Sequence, residues 1–564
     1  MRLLVLSGGA MFALYAGLFV LLQSTTLHES PTLVPDHWKE VFYPLRALFP
    51  REWTHAPPGG WVEMMNAGLY VLLLIGLFAV YLLAVKRMFA ARVTSTVRPG
   101  VILTVILGAT AIVLAGLMVV PATFSKDLFS YVWYGRIVAE YGDNPFLSVP
   151  SQYAWSDTVR WLQWTYWADT PSVYGPVWVT LAGGIAAAAR AIDNDIVTHL
   201  LGHKLLASLA HLANTVLVWQ VAQIVVRRYW QRPRNASVMG WEIGATAGVT
   251  LTYAWNPLAV IEFGLSGHND VLMLTGLLAA LWLHLTGRWR LAIVAIALAS
   301  LVKFIALVFL PGYLWLLFWE AKGDLRQRML QAASRVAQAV LLVFATWVVA
   351  YIPFWEGVAT LKPLSGGPAA TWFVNSIGAA IRVRLPELVN DVAWAEHWRP
   401  FYMWTERQIG VRLEWPARWG LLLISATAAA LVTWRARTFP AMLWAWGWAL
   451  FAYLALGSVW FWPWYVSWAL VPAALIGPGR LWNAVQVLSL TSLAYYAIVP
   501  RSGSVFKPFD GLAGLLIAMP PLAYVLGSLA LEAWRRRAEG ARPALGRPVR
   551  DRAPDYRMEA GAGK

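Results

Sequence analysis

The chain has 564 residues, of which 59% are hydrophobic and 13% are charged. That charged share is about half of what a soluble domain carries, and the mean hydropathy is +0.55. These values exclude an ordinary soluble enzyme, a disordered chain and a fibrous protein. Cysteine is absent, which excludes disulfides, thiolate metal sites and a cysteine nucleophile. The composition therefore indicates a polytopic membrane protein.

Apolar stretches long enough to cross a bilayer recur along the whole chain. A spanning helix needs about 20 mainly apolar residues. We predict an all-α polytopic fold with about 12–14 transmembrane helices. The candidate spans are 3–23, 65–85, 99–121, 199–226, 241–262, 271–287, 336–354, 418–434, 441–456, 464–477, 481–500 and 511–533.

Two apolar stretches allow more than one interpretation. The stretch 291–319 contains Lys303 and Pro311, and we interpret it as a hairpin of two half-length helices. The alternative is one long tilted helix. The stretch 173–192 is rich in Gly and Ala, and hydropathy does not decide whether it crosses the membrane.

The distribution of Lys and Arg gives the orientation, because these residues prefer cytoplasmic loops. With the N-terminus inside, the basic clusters share one side only if 173–192 does not cross. We therefore predict a re-entrant or interfacial helix there; a full crossing would put the Arg227–Arg234 cluster outside. The net charge of +16 then reflects topology and contact with anionic lipid, not nucleic acid.

The same pattern suggests a domain organisation and a location. Residues 1–98 would form two N-terminal transmembrane helices, and 99–534 a transmembrane core with external loops 122–198 and 355–417. The basic tail 535–564 is expected to be disordered in the cytoplasm. The long external loops place the expected activity on the extracytoplasmic side of a multi-pass plasma-membrane protein.

The most informative polar segment directly follows the span 99–121. Asp127 lies a few residues beyond that span, at headgroup level, where a carboxylate can act as general base on a hydroxyl. On a helix, Tyr131 and Tyr134 would share the face of Asp127. The alternative is an interfacial helix start, with Asp127 as its N-terminal charge.

Three further polar segments lie near the same membrane surface. They are Tyr174-Gly175-Pro176, the run Gly267-His268-Asn269-Asp270 after Glu262, and Lys303 inside its apolar stretch. Ionisable groups at a membrane boundary are costly unless they are used or paired. The alternatives are a helix N-cap at Asn269 or Asp270, and snorkelling of Lys303 or its pairing with Glu262 or Asp270.

Aromatic runs complete the candidate surface. Trp372 and Asn375 lie in one long loop, and Trp464 and Tyr465 in another. Such runs form membrane-interface belts, and they can also stack against a sugar. The sequence contains no Walker A loop, no dinucleotide fingerprint and no convincing metal spacing, so we expect neither a cofactor nor a metal. His199, His203 and His211 share a helix and are interpreted as structural.

The order of these motifs resembles a known group of enzymes. The motifs come in this order along the chain: Lys126-Asp127-Leu128-Phe129-Ser130-Tyr131, Asn144-Pro145-Phe146, Tyr174-Gly175-Pro176, Gly267-His268-Asn269-Asp270, Lys303 and Pro463-Trp464-Tyr465. This order is similar to the polyprenyl-phosphate-sugar-dependent glycosyltransferases of the GT-C fold, of the GT87-like and bacterial α-1,6-mannopyranosyltransferase type. The resemblance covers roughly residues 99–470. The usual Asn-Pro-Tyr of that group is Asn144-Pro145-Phe146 here.

The resemblance implies an activity and a set of site residues. The enzyme would move a hexose, most simply mannose, from a polyprenyl-phosphate donor to a hydroxyl of a glycan or glycolipid, with inversion. Asp127 would be the catalytic base. Lys303, His268 and Arg136 would bind the donor phosphate. Substrate contacts would come from Tyr131, Tyr174, Asn269, Asp270, Trp372, Asn375, Trp464 and Tyr465.

One alternative from another functional class fits the same composition. A transporter or a flippase for lipid-linked sugars is equally apolar. Transporters commonly contain repeats and place charges near the bilayer midplane. Here no internal repeat is evident, and the polar segments lie at the ends of the predicted spans. The pattern therefore favours an enzyme, but leaves the sugar, the acceptor and the oligomeric state open.

Overall fold

The protein is described by a computed structural model. The residues described are 2–22, 60–90, 98–120, 124–153, 159–232, 237–364, 373–381, 419–498, 506 and 511–540. Within these ranges the chain is helical, apart from its connections and one isolated backbone bridge between Val374 and Trp460. The prediction of an all-α polytopic fold is confirmed.

The main helices are numbered here in chain order. They are α1 Arg2–Leu21, α2 Trp61–Ala90, α3 Pro99–Met118, α4 Asp127–Ala139, α5 Pro176–Ile192, α6 Ile196–Tyr229, α7 Val238–Ala254, α8 Asp270–Leu285, α9 Trp289–Ser300, α10 Phe309–Trp319, α11 Leu325–Tyr351, α12 Trp419–Trp434, α13 Phe439–Ala452, α14 Val466–Ile476, α15 Arg480–Ala494 and α16 Ala513–Gly540.

Short helical turns connect several of these helices. Pro257–Val260 is a short α-helix, and Ile261–Leu265 and Tyr453–Gly457 are π-helical turns. The 3₁₀ turns are Pro150–Tyr153, Val159–Trp164, Phe304–Val308, Ile352–Phe354, Val358–Leu364, Pro463–Tyr465 and Tyr495–Ala497. Both π-helical turns directly precede loops that carry candidate site residues.

Seven helices in the described part of the chain are long and apolar enough to cross a membrane. They include α1, α2, α3, α6, α11, α13 and α16. Shorter apolar helices lie between them, and our expected number of spans counted most of these as well. Helix α11 begins at Leu325, earlier than the predicted span, and α16 continues past Arg535 to Gly540. Helix α16 therefore includes the first residues of the segment 535–564, whose assignment as a disordered tail stays a prediction.

The two N-terminal helices pack against the core helices. The Tyr81 hydroxyl of α2 lies 2.9 Å from the Thr252 carbonyl oxygen and 2.9 Å from Gln486 Oε1. The Tyr70 hydroxyl donates to the Leu493 carbonyl at 3.2 Å. All three tyrosine partners are buried in α7 or α15. Helix α2 is therefore fixed to the core by hydrogen bonds as well as by apolar packing.

The stretch 291–319 forms the predicted hairpin. Helix α9 ends at Ser300 and α10 begins at Phe309. At the open end of the hairpin, Arg335 of α11 contacts both the Trp289 ring and the Leu317 carbonyl. At its tip, the Trp347 indole donates to Ser300 Oγ at 3.1 Å. Helices α9 and α10 therefore pack side by side against α11 and run in opposite directions. The alternative of one long helix is wrong.

Helix α5, within the stretch 173–192, is one of the shorter apolar helices, and it packs along α4. The ammonium of Lys204, near the start of α6, donates to the carbonyls of Met118 and Val120 at the end of α3. The chain therefore leaves α3 and enters α6 at the same end of the bundle. Helix α5 lies along α4 between these points, where Gly135 packs directly on the Ala182 backbone. This arrangement is consistent with the non-crossing interpretation, which stays a prediction from the sequence.

The start of α5 is joined to the hairpin tip by backbone hydrogen bonds. Gly175 N–H donates to the Val302 carbonyl at 3.3 Å, and Val177 N–H to the Leu301 carbonyl at 3.1 Å. A Cβ atom on Gly175 would overlap the Leu301 carbonyl. Glycine is therefore required by close approach, which explains the Tyr-Gly-Pro motif. We call this contact the tip junction.

This contact predicts an asymmetry between two glycines of one segment. Gly175→Ala should lower the thermal unfolding midpoint of the detergent-purified protein, because overpacking costs about 1–3 kcal/mol. Gly184→Ala is the matched control, because its Cβ would meet no atom within 4 Å. Alanine there should leave stability unchanged or raise it slightly. Equal effects of the two substitutions would contradict the tip junction.

Candidate active site

Asp127 is the first residue of α4, and two donors from the following loop bind its carboxylate. The Trp167 indole N–H donates to Oδ1 at 3.2 Å, and the Tyr174 hydroxyl donates to Oδ2 at 3.4 Å. Burial raises the pKa of Asp127 above its usual value, while the Trp167 bond and the Lys303 ammonium lower it. The carboxylate is thus held in a defined position, with lone pairs left to accept a proton.

The position of Asp127 also fits the alternative interpretation. A carboxylate in the first turn of a helix is favoured by the helix dipole, and Asp127 occupies that turn. Its own N–H donates to Ser125 Oγ at 3.2 Å. These local interactions stabilise the start of α4. The bond to Ser125 uses the backbone N–H of Asp127 and leaves its carboxylate oxygens available. Asp127 therefore takes the helix-start position, and its role as a general base stays a prediction.

The two tyrosines of α4 connect it to other segments. Tyr131 donates to Asn269 Oδ1 at 3.3 Å, and its ring contacts Tyr174 edge-on at 5.2 Å. Tyr134 donates to the Thr170 carbonyl at 3.0 Å. Tyr131 therefore lies between Tyr174 and the segment His268-Asn269-Asp270. Tyr174 in turn contacts Asp127.

Lys303, at the hairpin tip, forms an ion pair with Asp270. Its ammonium lies 2.8 Å and 3.0 Å from the two carboxylate oxygens. The Trp468 indole donates to Asp270 Oδ1 at 2.7 Å. The ammonium also lies over the ring of Tyr465, 4.8 Å from its centroid. Asp270 is fully buried, while 17% of the Lys303 side chain is exposed. The structure therefore shows the alternative in which Lys303 pairs with Asp270, and phosphate binding by Lys303 stays a prediction.

His268 belongs to a separate buried group behind this pair. Its Nε2 lies 3.3 Å from Glu262 Oε2, and the Tyr496 hydroxyl donates to Glu262 Oε1 at 2.9 Å. The imidazole stacks on Trp464 at 3.7 Å between ring centroids. Gly267, at a φ of +66°, makes the turn that directs His268 inward. These contacts hold His268 within the core.

The structure does not bring Arg136 to the other candidates. It lies nine residues after Asp127 on α4, roughly 13 Å along the axis. Its guanidinium binds Glu140 Oε2 at 2.6 Å and lies over the rings of Trp133 and Trp161. The side chain is 3% exposed. The expected role in phosphate binding is therefore corrected to a structural one.

The aromatic candidates differ in what they contact. Trp464 supports His268, and Tyr465 stacks on Trp468 at 4.3 Å beneath Lys303. Asn375 adopts a left-handed φ of +50° next to the backbone bridge of Val374. Trp372 lies outside the described residues. Only Tyr465 therefore joins the ion pair directly.

Two of the candidate site residues have a buried amide with an unused hydrogen-bond donor. Asn269 Nδ2 and Asn375 Nδ2 have no hydrogen-bond partner among the described residues. A buried donor without a partner is costly. Asn269 lies next to Asp270 and contacts Tyr131. Its amide is therefore suited to receive a hydroxyl of a bound sugar.

The sequence did not identify two tryptophans that hold the carboxylates. Trp167 and Trp468 are two of 35 tryptophans, and neither lies in a distinctive motif. For Trp468, the signal was its position three residues after Tyr465, on the same helical face. For Trp167 there was no usable signal. Within the described ranges, no group of three or more His, Cys, Asp or Glu could hold a metal ion.

Comparisons with known proteins place this site in context. Residues 46–319 match the family described as "Alpha-(1->6)-mannopyranosyltransferase, N-terminal domain". The chain is 26% identical over 461 residues to Alpha-(1->6)-mannopyranosyltransferase A of Mycobacterium tuberculosis, covering 78% of this chain and 77% of the relative. It is 25% identical to Alpha-(1->6)-mannopyranosyltransferase B of Corynebacterium glutamicum, covering 71% and 64%.

The chain is a membrane glycosyltransferase that is similar to these α-1,6-mannopyranosyltransferases. The matched region contains Asp127, Tyr174, Asp270 and Lys303, so the family match and the geometry point to the same part of the chain. The comparisons favour the enzyme over the transporter or flippase alternative. The resemblance stated from the motifs is confirmed.

The buried ion pair predicts a non-additive pattern of stability. Lys303→Gln leaves the buried Asp270 carboxylate without its cation, and breaking such a pair costs about 3–5 kcal/mol. Adding Asp270→Asn should recover much of that loss, because the unpaired charge is removed. Thermal or denaturant unfolding in detergent would measure the three variants.

An exposed ion pair supplies the control for this measurement. Arg227 lies 3.4 Å from Glu242, with 74% of its side chain exposed. Arg227→Gln should have little effect on the same scale. Simple additivity of the Lys303 and Asp270 substitutions would show that the pair is not coupled as the structure indicates.

Proposed function

We propose that this enzyme transfers mannose from a polyprenyl-phosphate donor to a hydroxyl of a glycan or glycolipid. The observation that carries the proposal is the meeting of Asp127 and Lys303 at one end of the bundle, through Tyr174 and the tip junction. The named relatives are alpha-(1->6)-mannopyranosyltransferases, which supports mannose and a 1→6 linkage.

Asp127 acts as the general base in this mechanism. Its carboxylate removes the proton from the acceptor hydroxyl as that oxygen attacks the anomeric carbon. The bond from the anomeric carbon to the phosphate oxygen breaks in the same step, and the leaving group departs as polyprenyl phosphate. A single displacement inverts the anomeric centre, so a β-linked donor gives an α-mannoside. A pKa raised by burial makes the carboxylate a stronger base.

Lys303 stabilises the leaving phosphate. An ammonium has three N–H donors, and Lys303 donates to both carboxylate oxygens of Asp270. A third donor is available to a phosphate oxygen, and the partial exposure of the side chain gives access. A fixed cation at the position where negative charge develops lowers the barrier. We assign His268 to the support of Trp464, not to the phosphate.

The remaining candidates form the surface around the reacting groups. We propose that the unpaired Asn269 amide binds a sugar hydroxyl and that the Tyr465 ring lies along the donor. Tyr131, Tyr174 and Asp270 hold Asn269, Asp127 and Lys303 in place. Trp464 and Asn375 belong to the adjacent loops, and Trp372 stays a prediction from the sequence. No cofactor takes part in this scheme.

We further propose that the site faces the extracytoplasmic side. The opposite end of the bundle carries Arg227, Arg228, Arg288 and Arg290 at the ends of α6 and α9. There, Arg228 donates to the Leu285 carbonyl at the end of α8. Basic residues prefer the cytoplasmic side. Asp127 and Lys303 lie at the other end, which supports an acceptor in the cell envelope.

The decisive variant is Asp127→Asn, assayed with radiolabelled polyprenyl-phosphate-mannose and membranes that carry the enzyme. Transfer of label to glycan or glycolipid should fall about 10²–10⁴-fold, because general base catalysis contributes that much. The substitution is nearly isosteric, so the amount of folded protein should not change.

Asp195→Asn is the matched control for this assay. Asp195 is an N-cap whose carboxylate accepts from Val197 N–H at 2.9 Å, and asparagine caps a helix equally well. Its activity should equal that of the wild type. Undiminished transfer by Asp127→Asn would refute the base assignment. Absence of transfer by the wild type, with every lipid-linked sugar tried, would refute the donor.

A further inference from the structure

A short segment after Val159–Trp164 wraps across the beginning of α4. Four consecutive side chains each contact one residue of the first α4 turns or the residue preceding them. We call residues 164–167 the base strap. The contacts are Trp164 with Phe129, Thr165 with Ser130, Tyr166 with Lys126, and Trp167 with Asp127. Each side chain of the strap therefore contacts a different residue at or next to the start of α4.

Hydrogen bonds and packing fix the orientation of Trp167. Thr165 and Ser130 join their hydroxyls at 2.5 Å, which anchors the strap to α4. The Trp167 backbone N–H donates to Thr165 Oγ1 at 3.1 Å. Its ring contacts Trp460, with centroids 6.1 Å apart. The neighbouring Phe461 N–H donates to the Val374 carbonyl at 3.0 Å. Trp167 is thus held through its backbone by Thr165 and through its ring by Trp460.

We infer that Trp167 is a positioning residue for Asp127, holding the carboxylate oriented and in its ionised form through the indole N–H. The inference rests on the proposed role of Asp127 as base. An indole N–H is a donor only. It can therefore stabilise the carboxylate, but it cannot take the proton that the base removes. Tyr174 binds the other oxygen, so the acceptor hydroxyl meets a carboxylate with a fixed direction.

Other charged and titratable groups also act on Asp127, and the test must separate Trp167 from them. Lys303 favours the ionised carboxylate and Asp270 disfavours it. The groups whose fields couple to Asp127 are Lys303, Asp270, Glu262, Tyr131, Tyr134, Tyr174 and Tyr465. Removing the indole N–H leaves all of these in place. The resulting change can therefore be assigned to Trp167.

The first test is the pH dependence of kcat/KM for Trp167→Phe in the full-length enzyme. Loss of a donor to the charged form raises the pKa of the carboxyl. The acid limb of the profile should move up by about one pH unit, the value of one hydrogen bond to a charged group. Activity should fall about tenfold on that limb and recover at higher pH. A uniform loss at every pH would overturn the inference.

Tyr166→Phe is the matched control in the same strap. Tyr166 is 61% exposed and places its ring, not its hydroxyl, against Lys126. The phenylalanine variant keeps that ring contact. Its pH profile should coincide with that of the wild type. A shift as large as that of Trp167→Phe would assign the effect to the strap as a whole and would overturn the specific role of Trp167.

A second readout does not depend on transfer activity. A hydrophobic carbodiimide reacts with protonated carboxyl groups, and mass spectrometry of the purified protein gives the pH range over which Asp127 is labelled. Trp167→Phe should extend labelling to higher pH by about one unit. Benzothienylalanine at position 167 keeps the ring size and removes the N–H, so it should do the same even if the phenylalanine variant folds poorly.

These outcomes separate the inference from the proposed function. If the wild type transfers no lipid-linked sugar, the proposed function fails, while the labelling range still decides the role of Trp167. An unchanged labelling range in both position-167 variants would overturn the inference, whatever the transfer assay shows.

Discussion

The tip junction is the contact on which the arrangement of the site depends. Three backbone hydrogen bonds join the start of α5 to the residues just before Lys303. Tyr174, one residue before the junction, donates to Asp127 on α4. The positions of Asp127 and Lys303 therefore both depend on the tip junction, although the two residues are far apart in the chain. Gly175 makes this approach possible because any side chain there would meet the Leu301 carbonyl.

Indole and phenol groups of tryptophan and tyrosine donate hydrogen bonds to the carboxylates of this region. Three of its carboxylates accept at least one hydrogen bond from an indole or a phenol: Asp127 from Trp167 and Tyr174, Asp270 from Trp468, and Glu262 from Tyr496. Tryptophan and tyrosine combine a large apolar body with one polar handle. They can therefore satisfy a carboxylate in an apolar setting without adding another charge. Lys303 has Asp270 as its direct ion-pair partner.

Much of the fold followed from simple properties of the sequence. Apolar length predicted the long helices, and the single charge of Lys303 predicted the break between α9 and α10. The basic clusters predicted that α5 does not cross, and the shared end of α3 and α6 is consistent with that prediction. The boundaries of α11 and α16 were less accurate, because polar residues can continue a helix beyond the apolar segment. Composition gives the hydrophobic length of a helix, not where its backbone ends.

The site was predictable where polar residues stood out against apolar surroundings. Asp127, Asp270 and Lys303 were conspicuous for that reason, and the structure brings them to one end of the bundle. Arg136 was misjudged, although Glu140 four residues later already indicated a local ion pair. Trp167 could not be found among so many tryptophans. Its role arises from a loop folding back on α4, a tertiary contact that no local pattern encodes.

The most direct test of this account is an experimental structure of the enzyme with a non-hydrolysable polyprenyl phosphonate analogue of the mannose donor. The account predicts the phosphonate within hydrogen-bond distance of Lys303 Nζ, with the anomeric carbon facing the Asp127 carboxylate. A phosphonate bound at the other end of the bundle, near Arg228, would contradict it. So would a donor at Lys303 whose anomeric carbon points away from Asp127.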